Sequence, residues 1–167
     1  MRGIVYTSNT GFTENYAKLL GRRLSLPVYS LPEAENRLKK GSEILYLGWL
    51  CARRIKGYKK AAKRYQIAAV CGVGMCDTGT MTEEVRKATS IPDNVPLFTL
   101  QGGLCRAKLR CINRLMIGML EKGLSRQENR SEQDERTLRL LQKDSSFVRE
   151  ENLEAVIEWY KRTVKRG

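Results

Sequence analysis

Six residues near the N-terminus have the types and spacing to hold an anion. Ser8, Asn9, Thr10, Gly11, Phe12 and Thr13 lie between the apolar run Ile4–Tyr6 and a stretch with helical spacing of apolar residues. A loop that leaves a parallel strand and enters a helix sits at the strand's carboxyl end, where open α/β sheets bind ligands. The helix turns its free N–H groups and the positive end of its dipole into that loop. Ser8, Thr10 and Thr13 add hydroxyls, Gly11 lets the backbone approach closely, and Thr13 is placed to cap the helix. No lysine lies in the loop, which separates it from the P-loop of ATP and GTP enzymes, and the G-x-G-x-x-G fingerprint is absent. Hydroxyls without a fixed positive charge suit a monophosphate held by neutral hydrogen bonds.

The elements that must position this loop follow from periodicity. Strands are expected at Gly3–Thr7, Pro27–Leu31, Glu43–Leu50, Ile67–Val73 and Pro96–Leu100. Between them, helices are expected at Thr13–Leu24, Pro32–Lys40, Gly57–Tyr65 and Met81–Thr89. Near-continuous apolar runs such as "ILYLGWL" and "IAAVCGVG" suit central parallel strands covered on both faces, so the pattern predicts an α/β sheet. Cys105–Leu120 reads as a further helix whose Leu109, Ile112, Met116 and Met119 or Leu120 form a core stripe. Residues 125–136, "SRQENRSEQDER", contain no apolar side chain and read as a solvated loop or frayed helix inside a single domain of residues 1–167. "TLRLLQKD" follows as a short helix. A closing helix, Glu151–Val164, sets Leu153, Val156, Ile157 and Tyr160 on one face to cover the sheet.

Composition narrows the chemistry. With 167 residues and 41% hydrophobic content, one domain can bury its core without staples. Histidine is absent, which removes the commonest general base and the Ser/His and Cys/His pairs, so an enzyme of this sequence would lean on a cofactor. Five cysteines with no repeated spacing, Cys51, Cys71, Cys76, Cys105 and Cys111, fit reduced thiols better than disulfides or a zinc cluster. No run approaches the ~18–20 apolar residues of a membrane span. Met1–Arg2 leads directly into a strand rather than a signal peptide, so the expected location is the cytoplasm. The net charge is +13, from 31 basic and 18 acidic residues. Much of the excess lies in two acid-free blocks, Arg53–Arg64 and Arg106–Arg114. Each is either a solvated helix face or an attraction for an acidic partner, an anionic membrane surface or another polyanion.

"IVYTSNTGFTENYAKLL", Ile4 to Leu20, resembles the flavodoxin signature: Ile4, Val5 and Tyr6, the Ser8 hydroxyl, Gly11, Thr13, Ala17 and Leu20 all fall at constrained positions. The resemblance implies a flavodoxin-like doubly wound sheet of five parallel strands, order 2-1-3-4-5, with helices on both faces. It implies FMN as cofactor, with the phosphate on Ser8, Asn9, Thr10, Gly11, Phe12 and Thr13. Two further loops would then hold the flavin ring. Gly48, Trp49, Leu50 and Cys51 fall at the first, where Trp49 either stacks on the ring or packs in the core. Gly72, Val73, Gly74 and Met75 fall at the second, where many electron-carrier flavodoxins have a tyrosine. Cys51 and Cys76, in loops near the ring, are either redox-active or inert.

Electron-carrier flavodoxins are usually acidic, whereas this chain is basic. "LQGGLCRAKLRCINRLMIGML" and "ENLEAVIEWYKR" are more similar to the flavodoxin-like protoporphyrinogen oxidases and the flavodoxin-domain proteins near them. Those oxidases carry a long segment after the fourth strand, and here only about twenty residues separate Gly74 from Pro96. The expected function is electron or hydride transfer through FMN, with an acidic redox partner or a carboxylate-bearing substrate at the basic blocks and possible peripheral contact with an anionic membrane. The alternatives are an enzyme of the protoporphyrinogen-dehydrogenase type and a cofactor-less fold that binds nucleic acid through its basic face.

Overall fold

Five strands hydrogen-bond in parallel, and the central ones carry apolar runs covered on both faces. They are β1 (Gly3–Thr7), β2 (Val28–Ser30), β3 (Glu43–Cys51), β5 (Gln66–Gly74) and β6 (Leu97–Gln101). Their spatial order is β2-β1-β3-β5-β6, which counts as 2-1-3-4-5 among the parallel strands alone. This is the doubly wound arrangement of flavodoxin-like folds. The computed structural model describes residues 1–105, 107, 111–126, 131, 135, 138, 139 and 144–164, with the backbone alone at 111–116, 120 and 164.

Side-chain alternation along the strands separates two cores. Ile4, Leu45, Leu47, Ala69 and Cys71 face α1 (Phe12–Leu24) and the closing helix Glu154–Val164, meeting Tyr16, Leu20, Leu153 and Val156. Val5, Ile44, Tyr46 and Val70 face the other way, toward α2 (Leu31–Arg37), α3 (Tyr58–Arg64) and α4 (Thr82–Thr89). Helix α2 starts where a capping box allows it. The Ser30 N–H donates to Glu33 Oε2 at 2.8 Å while Ser30 Oγ accepts from the Glu33 N–H. The Ser30 hydroxyl also donates to Glu33 Oε2 at 2.7 Å, and that bond, then the one from the Ser30 N–H, lowers the Glu33 pKa. Helix α1 ends at Ser25, which takes the left-handed conformation, φ 54°.

Four expectations change. Thr13 does not cap α1: the helix starts at Phe12 and the cap position is Gly11, φ 100°. Ser8 Oγ accepts the Gly11 N–H at 3.1 Å, so the loop closes on itself and enters the helix through a conformation that suits glycine. β3 does not stop at Leu50 but turns back into β4 (Arg54–Ile55), an antiparallel hairpin. A second small sheet pairs β7 (Gly103–Leu104) with β8 (Ser145–Ser146). The last long helix before the charged segment, α5 (Cys111–Ser125), extends to Ser125. Arg106, Lys108, Leu109 and Arg110, the side chains of Ile112, Arg114 and Met116, and most of 127–143 lie outside the described residues. Among the described residues no helix is long and apolar enough to cross a membrane.

Gly57 starts α3 with φ 81°, and a Cβ there would collide with the Tyr46 hydroxyl and Thr7 Oγ1. Gly57→Ala is expected to lower stability by at least ~1–3 kcal/mol from the left-handed backbone, with the collision adding to it. Urea unfolding checks this, and an unchanged midpoint would contradict the placement.

Candidate functional site

Sheet order decides where a ligand can sit. β1 connects to β2 on one side, whereas β3, β5 and β6 continue on the other, so the loops after β1 and β3 diverge over the carboxyl edge and leave a crevice. A cleft of ≈ 620 Å³ occupies that edge, within the usual range for cofactor sites.

Its polar end comes from the loop after β1. Asn9 and Thr10 line the cleft, as do Phe12 and Thr13 from the first turn of α1. The first α1 backbone bond runs from the Asn15 N–H to the Gly11 carbonyl at 2.9 Å. The N–H groups of Phe12, Thr13 and Glu14 therefore precede the helical ladder and lack a partner within it. Ser8 and Gly11 do not line the cleft; they shape the loop through their mutual hydrogen bond. Glu14, the acid in this first turn, is paired with Lys18.

The β3–β4 hairpin supplies one apolar wall through Trp49, Leu50, Cys51 and Ala52. Pairing of Cys51 with Arg54 leaves Ala52 and Arg53 as a two-residue turn, with φ 48° and 63°. Such turns favour Asn-Gly, and a side chain in the left-handed region costs roughly 1–2 kcal/mol per residue. The Ile55 N–H donates to Thr89 Oγ1 at 3.0 Å and the Lys56 N–H to the Trp49 carbonyl at 3.0 Å, which holds the hairpin down. Trp49 is half-buried at the cleft rather than enclosed in the core, with the Lys56 ammonium 5.9 Å from its ring centroid. Gly48 and Gly72 are buried and do not line the cleft. A Cβ on Gly48 would meet Ile55 Cγ2 at 2.5 Å, and one on Gly72 would meet Ile55 Cδ1 at 3.1 Å, so both leave room for the returning hairpin.

Val73, Gly74 and Met75 line the cleft from the end of β5. Beyond them are residues that sequence reasoning did not assign to the site: Ala52, Gly102, Gly103, Leu104, Cys105, Ile117 and Met119. The "GG" after the last parallel strand carried a signal for Gly102 and Gly103, because every parallel strand delivers its following loop to this edge. Of Met119 and Leu120, the two alternatives for the end of the core stripe, Met119 is 67% exposed at the cleft, and the Leu120 side chain lies outside the described residues. The Gly102 N–H donates to the Gly74 carbonyl at 2.7 Å, and Phe147 N–H donates to the Gly102 carbonyl at 2.7 Å. Tyr16 Oη donates to the Gln101 carbonyl at 2.5 Å and accepts from Asn152 Nδ2 at 2.6 Å. Burial raises the Tyr16 pKa, with the Asn152 bond opposing.

The thiols divide by position. Cys51 and Cys105 line the cleft and are half-buried. Cys71 is fully buried in the sheet, and burial pushes its pKa far up, which suits an inert core thiol. Cys76 is exposed as a residue, but its sulfur lies 3.2 Å from Met81 Sδ; burial of that sulfur and then the Asp77 charge raise its pKa, against Arg53.

The fold is that of a doubly wound α/β protein, with a cleft at the carboxyl edge of its sheet. No protein-family model matches the chain, and no curated protein or solved structure matches it either.

The strained turn gives a stability prediction. Replacing it by the favoured pair, Ala52→Asn with Arg53→Gly, is expected to raise stability by about 1 kcal/mol. A urea midpoint that falls would show that the turn is not held in this conformation.

Proposed function

We propose that the chain binds FMN in this cleft and works as a flavodoxin-like redox protein. The observation that carries the reading is the joining, in one cleft, of a helix N-terminus with hydroxyl-bearing Thr10 and Thr13 to apolar walls from the loops after β3 and β5. The donor set fits a phosphate monoester, and the walls fit a flat aromatic ring. When bound, FMN supplies the transfer of electrons or hydride between a donor and an acceptor.

The chain's own residues position and tune. Thr10, Thr13 and the free N–H groups of α1 hold the phosphate, with Ser8 and Gly11 keeping the loop in shape. Trp49 and Met75 enclose the ring, and Leu50, Val73 and Leu104 exclude water from it. Lys56, above Trp49, puts a positive charge beside this wall and favours added negative charge in the cleft.

Two carboxylates in the phosphate loop should repel the phosphate. Ser8→Asp with Thr10→Asp is expected to weaken FMN binding by roughly 100-fold, equivalent to about 2.7 kcal/mol. Titration of flavin fluorescence reads this directly, and an unchanged affinity would remove the phosphate assignment. Loss of the stacking face in Trp49→Ala is expected to weaken binding by about tenfold and to relieve quenching of the bound flavin.

A further inference from the structure

The hairpin that walls the cleft continues into a strongly positive surface. Arg53, Arg54, Lys56, Lys59, Lys60 and Lys63 are all exposed, and no acid interrupts residues 53–64. Lys60 is paired with Glu35 at 2.7 Å. The other five have no carboxylate partner among the described residues.

We infer that the hairpin turn and the exposed face of α3 are a docking surface for an acidic protein that exchanges electrons with the cleft. The inference rests on the redox reading of that cleft. Position supports it first: Ala52 lines the cleft and Arg53 is the next residue, so the positive surface begins at the cleft's edge. The field of Arg53 reaches Cys76, just beyond β5, so this charge acts across to the next loop of the site.

Strain supports it second. A turn that would be relaxed by Asn-Gly instead keeps a cation in the left-handed region at its tip. Extent supports it third. The seven residues of α3 add about 10 Å of charged helix to the hairpin, more than a single small carboxylate can span.

The class of macromolecule follows from what accompanies the charge. Single-stranded nucleic acid is held by exposed aromatics between cations, but Tyr58 and Tyr65 are only 5% and 4% exposed. Peripheral membrane binding adds apolar insertion to charge, yet the exposed large hydrophobic among the described residues is Met119, on α5. Charge without either fits a salt-sensitive, rapidly exchanging protein contact.

The test uses the full chain and three labelled probes of comparable charge: poly-L-glutamate, a single-stranded oligonucleotide and phosphatidylglycerol-containing vesicles. Binding is measured with and without added FMN, and flavin uptake is read separately by absorbance. Poly-L-glutamate should bind most tightly, and about 0.5 M salt should abolish its binding. Arg53→Glu with Lys56→Glu and Lys59→Glu should weaken that binding by roughly thirtyfold. The same charge change at Arg2, Arg22 and Arg37, exposed on other elements, should weaken it by less than about threefold. The Ala52→Asn, Arg53→Gly variant should be more stable and yet bind poly-L-glutamate more weakly. Equal losses in the two triple variants would overturn the surface. Tighter binding of the oligonucleotide or the vesicles, lost in the hairpin triple variant, would overturn the partner. Because poly-L-glutamate binding is scored with and without flavin, a failure here is distinct from a failure to take up FMN.

Discussion

A buried hydroxyl joins the two loops on which the site depends. Tyr46 is fully buried in the middle of β3, and its oxygen lies 2.8 Å from both Thr7 Oγ1 and the Lys56 carbonyl. A hydroxyl withdrawn from water must find partners inside the protein. The partners here are the last residue of β1 and the residue after the hairpin, so this one group ties the loop after β1 to the wall carried by β3. Burial raises the Tyr46 pKa far above that of a free tyrosine, against the Thr7 contact, so the bond keeps its proton. Gly57 gives way at the same point because no Cβ fits beside the pair.

The opposite face of the sheet has its own tie. Tyr16, fully buried on α1, reaches the carbonyls of Gln101 and Phe147, and Asn152 bonds both Tyr16 and the Phe147 carbonyl. The returning C-terminal segment is thereby fastened to the end of β6, just before Gly102 enters the cleft. One tyrosine on each face of the sheet thus sets the spacing of loops that are distant in sequence. Apolar packing supplies the bulk of the stability, but it is non-directional, and these hydrogen bonds decide where the loops stop.

Legibility in the sequence followed the physics of each element. The parallel strands could be read because burial on both faces demands long apolar runs, as in Ile44–Leu47 and Ala68–Val73. The loop after β1 could be read because its hydroxyls and glycine stand between a strand and a helix. β4 could not, since its two residues carry no periodicity and its turn uses Ala52–Arg53 where Asn-Gly would have given a signal. β7 and β8 pair Gly103 with Ser146, a long-range contact that no local pattern records. Gly48 and Gly72, which the resemblance put in the two ring loops, do not line the cleft, and each leaves room for Ile55. Helical spacing left the stripe to end at Met119 or Leu120, and the structure leaves Met119 exposed beside the cleft.

A flavin bound in this cleft, as proposed, would be visible in the absorption spectrum of the protein. The purified protein would be incubated with FMN, gel-filtered to remove the excess, and scanned. The expected result is a flavin band that travels with the protein and is shifted from that of free FMN. A colourless protein that takes up no FMN would contradict it.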